Sequence, residues 1–514
     1  MAARPWRWLR EDVWEIRFRR YVALLLAATL VAAAVWGGLR LAREDRSCAT
    51  GVAHPKGSGD CVGVSTTAYD FGQPRFTATA RAIDRENHRL KPGSYVTVAL
   101  LLPFTTSAPA SLNDTLHELQ GAYLAQYQAN HGSTGEFPQV RLVLANAGAD
   151  GTYWPRVVDR LEEMSKGPDR LRAVTGIGQS TDNNKKAVRE LTRRGIPVIG
   201  SSITADDLAN GQGGKDPFPG LARVAPTNTD EARALASFAK PAADKALLVY
   251  DKPGDPYTRT LQDSFKRLMP GSPNPEQPFT PPADRTQEGT TSNQFRQITQ
   301  LLCSTPKSTN TVLFAGRHTQ LRQFINELGQ RGCMDHRFTL LTGDEGSYLT
   351  GDSKLDRKAL TGNLSVRYTA LAHPDAWRKG TVATGGSASD TATLDELVAR
   401  GKQAPVGPIG PIDLDDGQLI VAYDALRLAV QGLREATPSG ATTPPLADVV
   451  NEWAFIKGQQ RVNGASGWIC LDVHGNPYDK AVPIVELTPS GGARFVRIAW
   501  PEGKPPAAAC LPRA

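Results

Sequence analysis

AVTGIGQSTDNNKKAVRELTRRGIPVIGSSITADDL, residues 173–208, is the stretch on which the fold turns. An unbroken apolar run ends at Gly178 and gives way to Gln179, Ser180 and Thr181. Next come an amphipathic stretch, TDNNKKAVRELTRRG, and a second apolar run, IPVIG. Apolar strands without polar alternation belong to parallel sheets covered on both faces, and a parallel pair needs a crossover such as the amphipathic helix between them.

The same alternation extends in both directions. Upstream are VTVALLLPF, LHELQGAYLAQYQANH, VRLVLANAG and WPRVVDRLEEM. Downstream, beyond the crossover RVAPTNTDEA, a second series runs through KALLVYD, YTRTLQDSFKRL, NQFRQITQLLC, TVLFAG, TQLRQFINELGQRG and FTLLTG. Two series of this kind predict an α/β protein with two doubly wound parallel-sheet lobes. A late helix, DGQLIVAYDALRLAVQGLREA, has Asp416 as its expected N-cap, and strand formers dominate 468–500. Pro and Gly concentrate in surface connections at 270–282 and 402–411, and no solenoid-type repeat is present.

Ahead of this body, YVALLLAATLVAAAVWGGL at 21–39 carries no charge. Its helical length, about 28 Å, matches a bilayer's hydrocarbon core. Residues 1–20 hold six arginines and form the expected cytoplasmic segment by the positive-inside rule, which leaves the C-terminal body extracytoplasmic. Trp6, Trp8, Trp14 and Trp36 suit the two interfaces. A cleaved signal peptide is the rival reading, but its n-region would contain Glu11, Asp12 and Glu15. Residues 40–92 lack sustained periodicity and read as an extracytoplasmic spacer.

The net charge is +7, of which the first 46 residues, with nine arginines and five acids, supply +4. The nearly neutral body lacks the aromatic-interleaved basic pattern of a nucleic-acid groove, so no nucleic acid is expected as a partner. The six cysteines suit an oxidising compartment. We pair Cys48 with Cys61 on proximity, and Cys470 with Cys510. Cys303 and Cys333 each precede a predicted strand, which would place both at one end of a parallel sheet.

Several strings in order resemble the leucine/isoleucine/valine-binding proteins of ABC transporters, the type I periplasmic-binding-protein fold, over roughly 95–500. They are the 173–208 stretch with its IPVI strand, VLFAGRHTQLRQFINELGQRGCMDHRFTLLTGDEG, YDALRLAVQGL, and the hairpin NGASGWICLDVHGNP. The resemblance implies two lobes joined by three crossovers, with one small ligand enclosed between them. The lobes would be 93–225 plus 366–465, and 226–365 plus 466–514.

Ser180 and Thr181 follow a strand and open a helix, where free backbone N–H groups suit a ligand carboxylate or, equally, where either residue caps the helix. The resemblance makes Ser201, Ser202 and Thr204 the second binding loop, Tyr257 the cleft aromatic, and Glu345 the acid that accepts the ligand's α-amino group. Asp344 competes with Glu345 for that role. Two departures stand out: Arg317 replaces the family's Tyr after its Gly-Gly, and PFTTSAPASLND lacks another. Arg317 points to an acidic or otherwise anionic ligand, or else to a surface arginine paired with Asp or Glu.

TGIGQST lacks the third glycine of a dinucleotide fingerprint, no GxSxG or HExxH occurs, and DLDDG at 413–417 fails the calcium-loop spacing. No cofactor or catalytic role is expected. The reading is a membrane-anchored solute-binding protein for an amino-acid-like or anionic ligand, delivering to an ABC permease. The alternatives are a receptor signalling through a membrane partner, or a scaffold whose cleft binds nothing.

Overall fold

The computed structural model describes residues 17–41, 47–132, 138–284, 286–378 and 385–511. The chain divides into two compact units, Met1–Ser47 and Cys48–Ala514. In the first, the apolar run 21–39 lies within one helix, α1 (Arg17–Leu41). Among the described residues no helix is long and apolar enough to cross a membrane. Residues 1–16, with their arginines and Trp6, Trp8 and Trp14, lie outside the described residues.

The second unit is built on two sheets. β1 (Ser47–Ala49), β2 (Val52–Ala53), β3 (Val62–Ser65), α2 (Thr77–Asn87), β4 (Tyr95–Leu101), α3 (Pro109–His131), β5 (Gln139–Asn146), α4 (Trp154–Lys166), β6 (Leu171–Gly176), α5 (Asp182–Arg193), β7 (Val198–Gly200) and β8 (Leu221–Arg223) come first. Their strands line up as β1-β2-β3-β5-β4-β6-β7-β8, parallel from β5 onward. Side chains alternate across this sheet: Val96, Val98 and Leu100 enter one core while Ala99 and Leu101 enter the other. Burial on both faces is what an unbroken apolar strand requires.

After β8 the chain crosses to α6 (Asn228–Ala239), β9 (Ala246–Asp251), α7 (Pro256–Leu268), β10 (Gln277–Phe279), α8 (Thr291–Ser304), β11 (Thr311–Ala315), α9 (His318–Gly329), β12 (Phe338–Thr342) and β13 (Leu364–Thr369). It returns for α10 (Ala388–Arg400), α11 (Gln418–Glu435), α12 (Leu446–Glu452) and the hairpin β14 (Val462–Gly464) and β15 (Gly467–Ile469). Leu394, Leu397, Leu426 and Ile469 from these elements fill the first lobe's core. A third passage leads to β16 (Val482–Leu487) and β17 (Ala493–Ala499), antiparallel strands that complete the second sheet, β10-β9-β11-β12-β13-β16-β17. Arg223, fully buried at the first passage, donates to the carbonyls of Ala205, Leu208 and Ala225.

Two boundaries differ from the expectation. Residues from Cys48 onward, read as spacer, add β1, β2 and β3 to the first sheet, and Phe76 with Ala80 and Ile83 of α2 to its core. Strands of two to four residues are too short to show a period. β13 stays in the second sheet to Thr369, beyond residue 365, and Ile469 and Leu471 belong to the first lobe's core. All three expected disulfides form, Cys48–Cys61, Cys303–Cys333 and Cys470–Cys510. The middle pair joins the segments leading into the parallel neighbours β11 and β12.

α3 and α11 meet at Gly121, where a Cβ would stand 2.1 Å from the carbonyl oxygen of Leu419 and 2.9 Å from the amide nitrogen of Tyr423. Only glycine permits this approach. Gly121→Ala is expected to cost about 1–3 kcal/mol, the overpacking penalty outweighing alanine's better helix propensity, as read from urea denaturation.

Candidate functional site

The carboxyl ends of β6 and β7 deliver the two predicted loops to the cleft. Ser180 is buried, and its Oγ accepts from the N–H groups of Thr204 (3.1 Å) and Ala205 (3.2 Å), so it braces one loop against the other. Thr181 is the N-cap of α5, accepting from the Asn184 N–H at 3.2 Å. Ser201 Oγ lies 2.5 Å from Glu118 and 3.0 Å from the Gly176 carbonyl. Ser202 Oγ lies 3.4 Å from the same carboxyl and 3.2 Å from the Gly178 carbonyl. Thr204 Oγ1 is buried without a hydrogen-bond partner among the described residues.

A serine hydroxyl has one proton to donate, so each of these serines faces a choice between a carbonyl and a carboxyl oxygen. A proton on Glu118 relieves that conflict for one of the two serines. Burial pushes the Glu118 carboxyl up to about 7, against the opposing pull of the two hydroxyls.

From the second lobe, Arg317 follows β11 and caps the start of α9. It is buried, with its guanidinium 4.7 Å above the Tyr257 ring. Nε donates to Asp255 at 2.8 Å, Nη1 donates to Glu345, and Nη2 crosses the cleft to the Ser180 carbonyl at 2.7 Å. The second oxygen of Glu345 accepts from the His318 N–H at 2.9 Å, with the His318 ring Nδ1 at 2.7 Å. Burial opposes ionisation of Glu345, but Arg317 and His318 hold it at about 2. Asp344 beside it is raised to about 7 by burial and by the Glu345 charge. Arg317 is thus the paired arginine of the sequence reading, in a buried rather than a surface setting.

A second bridge closes the cleft nearby: the Tyr348 hydroxyl accepts from Gln179 Nε2 at 2.8 Å, and the Tyr348 ring stacks on His318 at 4.4 Å. Beneath Tyr348, at the carboxyl ends of β4, β5 and β6, lies a recess of about 90 Å³. Asp114, Glu118, Gln179 and Thr181 line it together with apolar side chains. Among the described residues the group with metal-ligand geometry is Cys48, His54 and Cys61, and the Cys48–Cys61 disulfide removes both thiolates.

No family model matches this sequence, and no curated protein matches it. Solved structures do. The fold is that of the type I periplasmic binding proteins. LivJ of Streptococcus pneumoniae, a branched-chain amino acid transporter substrate-binding protein in complex with isoleucine, is similar with a TM-score of 0.55 and 15% identity, over 78% of this chain and 99% of LivJ. The leucine-binding protein LivK of Thermotoga maritima gives 0.55 and 16%, over 79% of this chain and 99% of its own. A solute-binding protein of an ABC transporter from Rhodopseudomonas palustris, in complex with 3,4-dihydroxybenzoic acid, gives 0.54 and 14%, over 79% and 97%. At these identities the likeness is one of fold.

On that fold the predicted residues divide into two groups. Ser180, Tyr257, Arg317 and Glu345 converge on one bridge across the cleft, whereas Ser201 and Ser202 turn to Glu118. Thr181 serves as a cap. Sequence reasoning missed Asp114, Glu118, Gln179, Asp255, His318 and Tyr348. Asp114 and Glu118 carried a readable mark, two acids four residues apart in a helix otherwise rich in apolar and small residues, hence on one face. Asp255 was legible only as a helix cap, which it also is.

Two variants separate these networks. The raised Glu118 value means that its contribution to stability is fully present below pH 4.5 and is lost as the pH rises through about 7. That loss is at most about 3 kcal/mol. Glu118→Gln is expected to be more stable than the wild type at pH 8 and no more stable at pH 4.5, in urea titrations at both values. Arg317→Ala strands the Asp255 and Glu345 carboxylates, and a loss of about 3–5 kcal/mol is expected in the same measurement at pH 7.

Proposed function

We propose that this chain is an extracytoplasmic solute-binding protein, anchored through residues 21–39, whose two lobes close on a small ligand for an ABC importer. The observation that carries the reading is the recess at the strand ends of the first lobe, walled by Tyr348 from the second. A ligand there would touch both lobes together only in the closed form, and such differential contact is what drives closure. The anchor reading is supported by the exposed apolar side chains Leu25, Leu26, Leu30 and Val31 in α1, for which lipid is a fitting partner.

The seat differs from the one the resemblance implies. Glu345, the expected acceptor of an α-amino group, is engaged by Arg317 and His318, and Ser180 Oγ by backbone N–H groups. A ligand therefore sits in the recess beside the Arg317 bridge. The bridge itself favours one alternative, a scaffold held closed by its own arginine.

Thermal-shift titration of the full chain in detergent micelles against amino acids, aromatic carboxylates and small amines tests the two readings. A ligand at 100 times its Kd is expected to add about 2.7 kcal/mol of stability, an effect that Tyr348→Ala removes. No stabilisation by any member of the panel would sink the solute-binding reading and leave the scaffold.

A further inference from the structure

Resting on that solute-binding reading, we propose that the recess takes a small organic cation, with its ammonium group against Asp114 and Glu118. Among the described residues, the charged ones that line the recess are acidic, Asp114, Glu118 and Asp150, and none is Lys, Arg or His. Arg317, the buried cation at the cleft, is not among the lining residues and is engaged by Asp255, Glu345 and the Ser180 carbonyl. Asp114 is more than nine-tenths buried, and its Oδ2 has no hydrogen-bond partner among the described residues. Two buried carboxyls on one face of α3, one with an unmet acceptor, form a poor resting arrangement in a low-dielectric wall and a good one beside a bound ammonium.

A metal ion fits less well. Among the described residues the carboxyl oxygens of Asp114 and Glu118 do not belong to any group of three ligand atoms close enough to share an ion. The rest of the lining is partly hydrocarbon, from Leu101, Leu102, Pro103 and Ile177. Such a lining suits methylene groups attached to the charge. At about 90 Å³ the recess suits a chain of a few carbons rather than a large aromatic. The polarity is the reverse of the one the resemblance implies: here the first lobe, not the second, supplies the acid for the ligand's nitrogen.

Isothermal titration of the full chain in detergent micelles with propylammonium, 1-propanol, propionate and leucine tests the assignment. Propylammonium is expected to bind at least tenfold more tightly than 1-propanol, which has a similar shape and no charge. Asp114→Asn is expected to weaken propylammonium at least tenfold while its melting temperature stays level or rises, an outcome that a purely structural carboxylate does not produce. Should Asp114→Asn fail to fold, as judged by circular dichroism, Glu118→Gln is expected to show the same weakening. Equal affinity for propylammonium and 1-propanol, or unchanged affinity in a folded variant, overturns the proposal. Binding of leucine or propionate without propylammonium also overturns it and leaves the solute-binding reading standing; no binding by any of the four overturns it too, and the solute-binding reading is then decided by the wider thermal-shift panel.

Discussion

Arg317 reaches from the mouth of the second sheet to the Ser180 carbonyl of the first lobe, and the cleft is arranged around that reach. A buried guanidinium has five donors in a fixed plane and cannot shed its charge, so its surroundings must supply acceptors in matching directions. Asp255 and Glu345 supply them from the second lobe: Asp255 is held by its own segment as the capping-box residue of α7, and Glu345 by the N–H of His318, the residue after the arginine. Of the donors that remain, one on Nη2 reaches the opposite lobe.

Placing this pair at the cleft has a consequence for the acids around it. Arg317 is shared by Asp255 and Glu345, while among the described residues Asp114, Glu118, Asp344 and Glu231 form no ion pair, and burial raises all four. Removing charge by protonation is the ordinary answer of a low-dielectric interior to unpaired carboxylates. A cleft walled by protonatable acids accommodates either a proton or a cationic ligand. The position of Arg317 decides which acids remain open to one.

Much of the fold was legible because its cause is local. Strands such as VTVALLL and TVLFAG are apolar on both faces, and that pattern admits little besides a covered parallel sheet. The cysteine pairing was legible for a related reason, since parallel neighbours bring the segments before β11 and β12 to one end. The edge strands β1, β2 and β3 escaped notice because a strand of two to four residues has no period to detect. The second lobe's claim on β13 through Thr369 escaped too, since strand pairing and not residue type sets where one lobe ends.

At the site, its place after a strand and before a helix picked out Ser180, while the resemblance picked out Ser201, Ser202, Tyr257 and Glu345 and marked Arg317 as a departure. Their partners were beyond reach. Ser201 with Glu118 spans 83 positions, and Arg317 with Ser180 spans 137. The sequence by itself determined two parallel-sheet lobes, the Cys303–Cys333 disulfide and the loop at Ser180, since each follows from periodicity or from order along a sheet. Only the tertiary structure decided that Glu345 is occupied by Arg317 while Asp114 keeps an unmet acceptor. Which acid a cation reaches depends on distances of a few ångströms between lobes, and no local pattern encodes them.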